Sequence, residues 1–338
     1  MTFVLPKKSR FLAIALPLVA ALFGVFVSTS ATAQGALLKK KSTPALDKDD
    51  TLNITRVQIF LDENFFGPGK IDGRLGQFTT KALAHYNYSI GVDPKDWGPV
   101  LKKAKKAIEI PYTNYLVKDD DFGFIGDLAF DIAKQAETKY LVYRSVKEFV
   151  SERFHTDENF LTKINPETKW NLLKPGDLVV VPNVTEFKIE DVVLNKNWAK
   201  DEALSKRHVI VDTYQNLAAI WDDSKLVAMF PVTPGQEKFI YRGDFEIKVM
   251  VNTPTFRYDK SMLKTGKRSE NYHSLPPGPN SPVGLFWAGI NKSGIGLHGT
   301  ASPHTIGRSQ SAGCIRFANW DAVRLAFLIR PGARVEVR

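Results

Sequence analysis

Cys314 is the only cysteine in 338 residues, and a histidine, His298, stands sixteen positions before it in "IGLHGTASPHTIGRSQSAGCIRF", residues 295–317. A thiol at its ordinary pKa of about 8.5 is only a few per cent thiolate at neutral pH. An imidazole that takes its proton raises that fraction and leaves an ion pair poised to attack a carbonyl carbon. His298 closes the apolar "GLH" and is followed by a glycine, so a strand end can present it. The loop that follows holds Pro303 and Gly307 and can carry the chain back to the thiol. His304, inside that loop, is the weaker choice of base. Three blander uses of a lone cysteine compete with this one. A buried structural thiol is the commonest, but Ser309, Gln310, Ser311, Ala312, Gly313 and Arg316 are small or polar neighbours. An intermolecular disulfide normally uses a tether or tail. A metal needs more ligands than Cys314, His298 and His304 readily supply. A reactive thiol accounts best for the segment.

The elements that must position this pair are read from the texture around it. From His208 onward the chain runs in short β-rich stretches, "HVIVDTY", "LAAIW", "LVAMFPV" and "FEIKVMV", with no long amphipathic helix before Trp320. Such alternation of strand runs and turn residues predicts a mainly β domain over 205–338, large enough to bury its own core. "NWDAVRLAFLIRPGARVEV" at the end reads as a helix capped by Asn319, a Pro-Gly stop and a last strand. Ahead of it, 186–206 is a charged connector. Residues 120–185 read as two short helices, with Val146, Phe149, Val150 and Phe154 on one face of the first, and then a Pro-Gly turn into the strand of "LLKPGDLVVVPNV". His155 beside Phe154 reads as a packed or surface histidine rather than a catalytic one. Residues 51–115 begin with two helical patterns around the turn-dense "FGPGKIDGRLG", and "KKAKKA" at 102–107 fits a solvated helix face.

The N-terminus is of another kind. Lys7, Lys8 and Arg10 precede the apolar run Phe11–Val27 and the small-residue site "ATA", which is the pattern of a secretory signal cut after Ala33. The rival reading is an uncleaved anchor, although the run is short for a bilayer and Pro17 interrupts it. Residues 34–50 are polar and read as a flexible tether. The whole chain carries a net charge of +10, and removing the three basic residues of 1–33 leaves +7. That balance suits an anionic polymer such as a cell wall. The chain lacks a dense basic stripe interleaved with aromatics, so nucleic acid is a poor fit as partner, and a membrane enters only through the signal segment if it is retained. In an oxidising compartment a single cysteine has no internal disulfide to make, which again favours a reactive thiol.

With the histidine ahead of the cysteine and ten residues between "HGT" and "SAGCIR", the segment resembles the catalytic domain of the L,D-transpeptidases, the YkuD-like family. The upstream "LPPGPNSPVGLFWAGINKSGIGLHGT" and the closing helix, Pro-Gly stop and strand are similar to that family too, so the resemblance covers roughly 205–338. It implies a β-sandwich catalytic domain in a multidomain chain. Residues 51–115 resemble a small helical peptidoglycan-binding domain through "KIDGRLG", and 120–185 resemble a small α+β LysM module, whose first strand is not evident in the sequence.

The resemblance implies Cys314 as nucleophile and His298 as general base, acting on peptidoglycan stem peptides. A thioester forms, and an amine of a neighbouring stem resolves it into a cross-link between third-position residues. No metal or organic cofactor is implied. Ser311, Gly313, Arg316, Gly299 and Thr300 match the surrounding motif as substrate- or oxyanion-binding residues, with the backbone N–H groups of Gly313 and Cys314 as oxyanion donors. Arg316 would either fork onto a substrate carboxylate or tie the loop down by an internal ion pair. Ala312 stands where many members carry a second histidine. Water in place of the amine would make the same site an L,D-carboxypeptidase, and a non-catalytic wall-binding protein is the remaining alternative. The implied location is exported, in the periplasm or cell wall, with the front modules on linkers raising the local concentration of the site at its polymer.

Overall fold

Asp50 starts the first helix, its carboxylate accepting from the Asn53 N–H, as an N-cap should. Helix α1 (Thr51–Glu63), α2 (Gln77–Ser89) and α3 (Trp97–Ala107) pack together. On α3 Val100 and Ala104 are buried while the lysines of "KKAKKA" stay exposed. Strand β1 (Tyr112–Leu116), helices α4 (Ile132–Ala136), α5 (Val146–Arg153) and α6 (Glu158–Ile164), and strand β2 (Leu178–Pro182) follow. Ser145 and Asp157 cap α5 and α6. β1 pairs antiparallel with β2, Tyr112 facing Pro182 and Leu116 facing Leu178. The strand that partners "LVVVP" therefore lies ahead of residue 120, at the end of the segment that reads as helical. The computed structural model describes residue 47 and residues 49–338 apart from 310. The expected signal at 1–33 and nearly all of the expected tether lie outside the described residues. Among the described residues no helix is long and apolar enough to cross a membrane.

The remaining chain forms β3 (His208–Asp212), β4 (Leu217–Asp222), β5 (Lys225–Pro231), β6 (Gly243–Asn252), β7 (Phe256–Tyr258), α7 (Lys260–Thr265), β8 (His273–Leu275), β9 (Phe286–Ile290), β10 (Gly296–His298), β11 (Ile315–Arg316), α8 (Asn319–Leu325) and β12 (Arg334–Val337). The mainly β domain is present, and where the resemblance implies a β-sandwich, eight strands join one curled sheet in the order β11-β10-β9-β6-β12-β3-β4-β5. β6 makes the bend. Its first half pairs with β12 and its second with β9, with a register shift between Ile247 and Val249, and such bulges turn a strand sharply. The sheet curls until its ends meet. Just past β5, Thr233 exchanges two backbone hydrogen bonds of 2.9 Å with Arg316 on β11. Val209, Ile220, Phe230, Leu297, Ile315 and Phe317 fill the inside. β7 and β8 form a separate hairpin with α7 between them.

The front units are not carried on free linkers. Val57, Phe60, Leu83 and Tyr86 of the helical unit share one core with Leu217, Leu226 and Met229 of the sheet. Phe149, Phe154 and Val181 of the second unit share another with Leu285, Ala318 and Trp320. Polar contacts fasten the same seams. The Phe65 carbonyl accepts from Met229 N–H, and Gly67 N–H donates to the Met229 carbonyl. Buried Asp62 on α1 takes His155 Nδ1 at 2.9 Å and Arg324 Nη2, on α8, at 2.8 Å. Burial alone would raise the Asp62 pKa, but the Arg324 charge and His155 overcome it and hold the group as a carboxylate. His155 is a packed histidine, stacked on Trp320 at 5.3 Å. Asn319 does not cap α8, whose N-cap is Ala318. Its amide instead reaches back, accepting from Leu285 N–H and donating to the Pro279 carbonyl.

Because these cores are shared, the described chain should unfold as one cooperative step. Scanning calorimetry is expected to show a single transition for the full chain. Met229→Ala should lower stability by about 2–5 kcal/mol, the usual cost of a buried Met-to-Ala truncation, without splitting that transition. A separate early melting of the helical unit would contradict the shared core.

Candidate active site

Three adjacent strands put the reactive groups on one face. β10 and β11 run parallel, with Leu297 beside Ile315 and His298 beside Arg316. Cys314 and Arg316 flank Ile315, so both point to the side opposite its buried side chain. His298 and Cys314 are then diagonal neighbours on adjacent strands that face the same cavity, with no hydrogen bond between the sulfur and the ring in this state; the thiol is turned to the Gly294 carbonyl instead. On the other side, β9 sets Trp287 opposite His298. Cys314, His298, Arg316 and Trp287 all line one cavity of about 670 Å³.

The turn before Cys314 is held by its own side chains and by a neighbouring strand end. Ser311 Oγ donates to the Cys314 carbonyl and accepts from Gly313 N–H at 3.2 Å. Gly313 has φ +117°, and a Cβ there would lie 2.9 Å from the Phe239 carbonyl oxygen, so only glycine fits without strain. Gly235 presses against the same turn, its N- and C-terminal neighbours bonded to both sides of Ser311.

His298 is buried and its tautomer is set. Nδ1 lies 2.6 Å from the Gly299 carbonyl oxygen. A carbonyl only accepts, so Nδ1 carries the proton and Nε2 keeps the lone pair. Burial pushes this imidazole down to about 4, with Arg316 adding to the fall and the Gly299 bond opposing it. Burial pushes the Cys314 thiol up to about 11, against the Gly296 backbone and the Arg316 charge. Its Sγ donates to the Gly294 carbonyl at 3.5 Å. At neutral pH both partners are therefore uncharged. The standing thiolate–imidazolium pair that the sequence suggests is not the resting state, because a half-closed site charges two groups only at a desolvation cost. The arrangement suits transfer of the proton as the sulfur attacks.

The motif residues separate by role. Arg316 lines the cavity. One Nη donates to Ser309 Oγ at 3.1 Å, its buried Nε has no partner, and among the described residues no carboxylate pairs with it. The internal ion pair that the sequence leaves open is thus not made. Ser311 faces the cavity but spends its hydroxyl on the turn. Gly313 N–H is taken by Ser311, which leaves Cys314 N–H as the better oxyanion donor. Gly299 and Thr300 stay behind the site. The Gly299 N–H donates to Phe286 at 3.1 Å while its carbonyl fixes His298, and buried Thr300 accepts from Ser302 N–H. His304 lies outside this cavity, in a separate cleft beside Arg308 and Phe78.

Sequence reasoning missed the far wall. The β7–α7–β8 excursion contributes Phe256, Tyr258, Met262 and Leu263, with Arg257 and Arg268 as charges. Asp259 ties it together, accepting from Ser261, Met262 and Ser269 N–H groups. Trp287 was also missed, although "FWAGINKSGIG" follows an aromatic with three glycines, a composition that can clear room for a ring.

Residues 206–337 match the family model YkuD, the L,D-transpeptidase catalytic domain. This segment, which carries both His298 and Cys314, is similar to the L,D-transpeptidase catalytic domains of the YkuD family. A candidate L,D-transpeptidase of Bacillus licheniformis, YkuD, is 22% identical over 190 residues, 56% of this chain and 92% of the relative. Its Bacillus subtilis (strain 168) namesake is 41% identical over a shorter 59 residues, 18% of this chain and 36% of the relative. Among solved structures, an L,D-transpeptidase from Mycobacterium smegmatis aligns with 15% identity and TM-score 0.33, over 39% of this chain and 58% of that one. The helical unit and the βαααβ unit lie ahead of the residues that the family model matches.

The neutral pair makes a pH prediction. With the thiol near 11, iodoacetamide alkylation of Cys314, followed by intact mass, should accelerate about tenfold per pH unit from pH 7 towards pH 10. A rate already flat across neutral pH would show a standing thiolate instead.

Proposed function

We propose that the chain is a cysteine-dependent L,D-transpeptidase acting on peptidoglycan stem peptides, exported to the periplasm or cell wall and needing no metal or organic cofactor. The observation that carries this reading is the convergence of Cys314 and His298 on one cavity inside the segment that matches the catalytic family. The Cys314 sulfur attacks the carbonyl of the third stem residue, and its proton passes to His298 Nε2. The tetrahedral oxyanion accepts from Cys314 N–H. The amide C–N bond breaks, His298 gives its proton to the departing D-amino acid, and a thioester remains. An amine of a neighbouring stem then attacks, losing its proton to His298, and the thiol is regenerated as a cross-link between third-position residues forms. Water in the amine's place gives L,D-carboxypeptidase action from the same thioester.

The charges around the cavity support a substrate rich in carboxylates. Arg316 has an unused buried N–H, and Arg268 on the opposite wall makes no ion pair among the described residues. A stem peptide brings free carboxylates that either guanidinium can take as a fork. The basic net charge of the chain fits an anionic wall polymer. Docking of the helical and βαααβ units against the YkuD domain favours a role in presenting the strand to the cavity at a fixed angle. Glycan binding by "KIDGRLG" and by the βαααβ unit belongs to this proposal.

Incubation with a carbapenem and intact-mass analysis tests the reading. A covalent adduct is expected on the wild-type chain and none on Cys314→Ala. Arg316→Gln should form the adduct yet raise KM for a tetrapeptide donor about tenfold or more, the scale of one charge-assisted hydrogen bond. Absence of any Cys314-dependent adduct would sink the enzymatic reading.

A further inference from the structure

Trp287 has no place in the chemistry above, yet the site is built around it. Its ring stacks on the His298 imidazole at 5.5 Å with the planes only 18° apart. Two glycines make the space it occupies. A Cβ on Gly296 would sit 2.8 Å from Trp287 Cζ2, and a Cβ on Gly289 would sit 2.8 Å from its Nε1. A carbon at Cβ essentially never comes that close to another heavy atom, so a side chain at either position would displace the indole. The imidazole is thereby held on two sides, by the Gly299 carbonyl in its plane and by the indole across its face, with Nε2 left as the free edge.

We propose that Trp287 is a positioning residue for catalysis, acting through His298: its face fixes the ring for proton transfer from Cys314 and stabilises the imidazolium formed during attack. This rests on the reading of His298 as the base. An aromatic ring attracts a cation above its face, and a desolvated contact of that kind is among the stronger ones. The resting imidazole is neutral and gains little from the indole. The cation created as the thiol loses its proton gains the full attraction, so the contact strengthens where the reaction needs it. The other charged or titratable groups facing His298 do not supply this. Arg316 on β11 repels an imidazolium, and Cys314 is its proton donor. Arg257, Asp259 and Arg268 belong to the opposite wall and bring more positive than negative charge.

The test uses the full chain, a carbapenem as acylating probe, and the variants Trp287→Leu, Trp287→Phe and Gly289→Ala, the last of which pushes the indole aside while keeping it. Acylation should slow by about 3- to 30-fold in Trp287→Leu and Gly289→Ala, the range of a cation–π contact, and stay within about threefold of wild type in Trp287→Phe. Because the indole favours the cation, the acid limb of the rate should move to lower pH in Trp287→Leu. The His298 Cε1–H resonance, assigned with His298→Gln, should shift downfield when the indole's shielding is lost. A folded Trp287→Leu that acylates at the wild-type rate with an unmoved acid limb overturns the proposal. If Trp287→Leu does not fold, equal rates in Gly289→Ala and wild type overturn it. Loss of the Cys314-dependent adduct in the wild-type chain is a different result, and it refutes the parent reading.

Discussion

The site depends on how the sheet closes. β11 is only two residues long and could not hold a position as a bare edge strand. It is gripped on both sides, by parallel pairing with β10 and by the two backbone bonds that Arg316 exchanges with Thr233 beyond β5. Those bonds bring together the two ends of an eight-stranded sheet, removing the exposed edges that would otherwise invite pairing with another chain. They also fix Cys314 one residue outside the ladder, where its N–H and side chain are free of strand duties. A reactive residue at the margin of a closed sheet has a rigid base and an open approach, and both are needed for attack on a bound carbonyl.

The electrostatics follow from that placement. Cys314 is close enough to the curled sheet for burial to keep its proton on, and His298 is buried far enough to stay neutral. Two uncharged partners keep the thiol unreactive towards adventitious electrophiles. Their proton moves when a carbonyl arrives and the developing oxyanion finds a donor. The environment that suppresses the resting ion pair strengthens each interaction made during attack, because low dielectric magnifies the oxyanion bond and the imidazolium contacts alike.

Much of this was legible in the sequence and some was not, for physical reasons. The lone Cys314, its distance from His298 and the Gly-rich turn between them indicate the chemistry because residue type and chain spacing are local properties. The strands of the YkuD domain show in their alternation. The parallel pairing of β10 with β11 and the closure at Thr233 are set by tertiary geometry that no short window contains. The role of Asn319 was misread for the same reason: at a helix start its amide suits capping, but a backbone donor at Leu285, 34 positions away, competes and wins. The β1 strand was invisible because its partner lies across three helices, and three of its five side chains are exposed. Trp287 stands in a segment that the resemblance covers, but a stacking partner on the next strand is not a pattern along the chain.

The shared cores change what the front of the molecule can do. Binding modules on flexible linkers raise effective concentration but leave orientation free. Here Met229 belongs to the helical unit's core as much as to the sheet, and Trp320, four residues after Arg316, is packed beneath His155. Asp62 joins α1, His155 and Arg324 through one carboxylate, so a single buried point ties all three units together. The front units and the YkuD domain consequently move as one body. A polymer strand held by the former would meet Cys314 in one orientation rather than many. For the transpeptidase proposed above, whose donor and acceptor would both be fixed in a network, restricting the angle of approach favours productive encounters between particular stems. The cost is that stems lying at other angles stay out of reach.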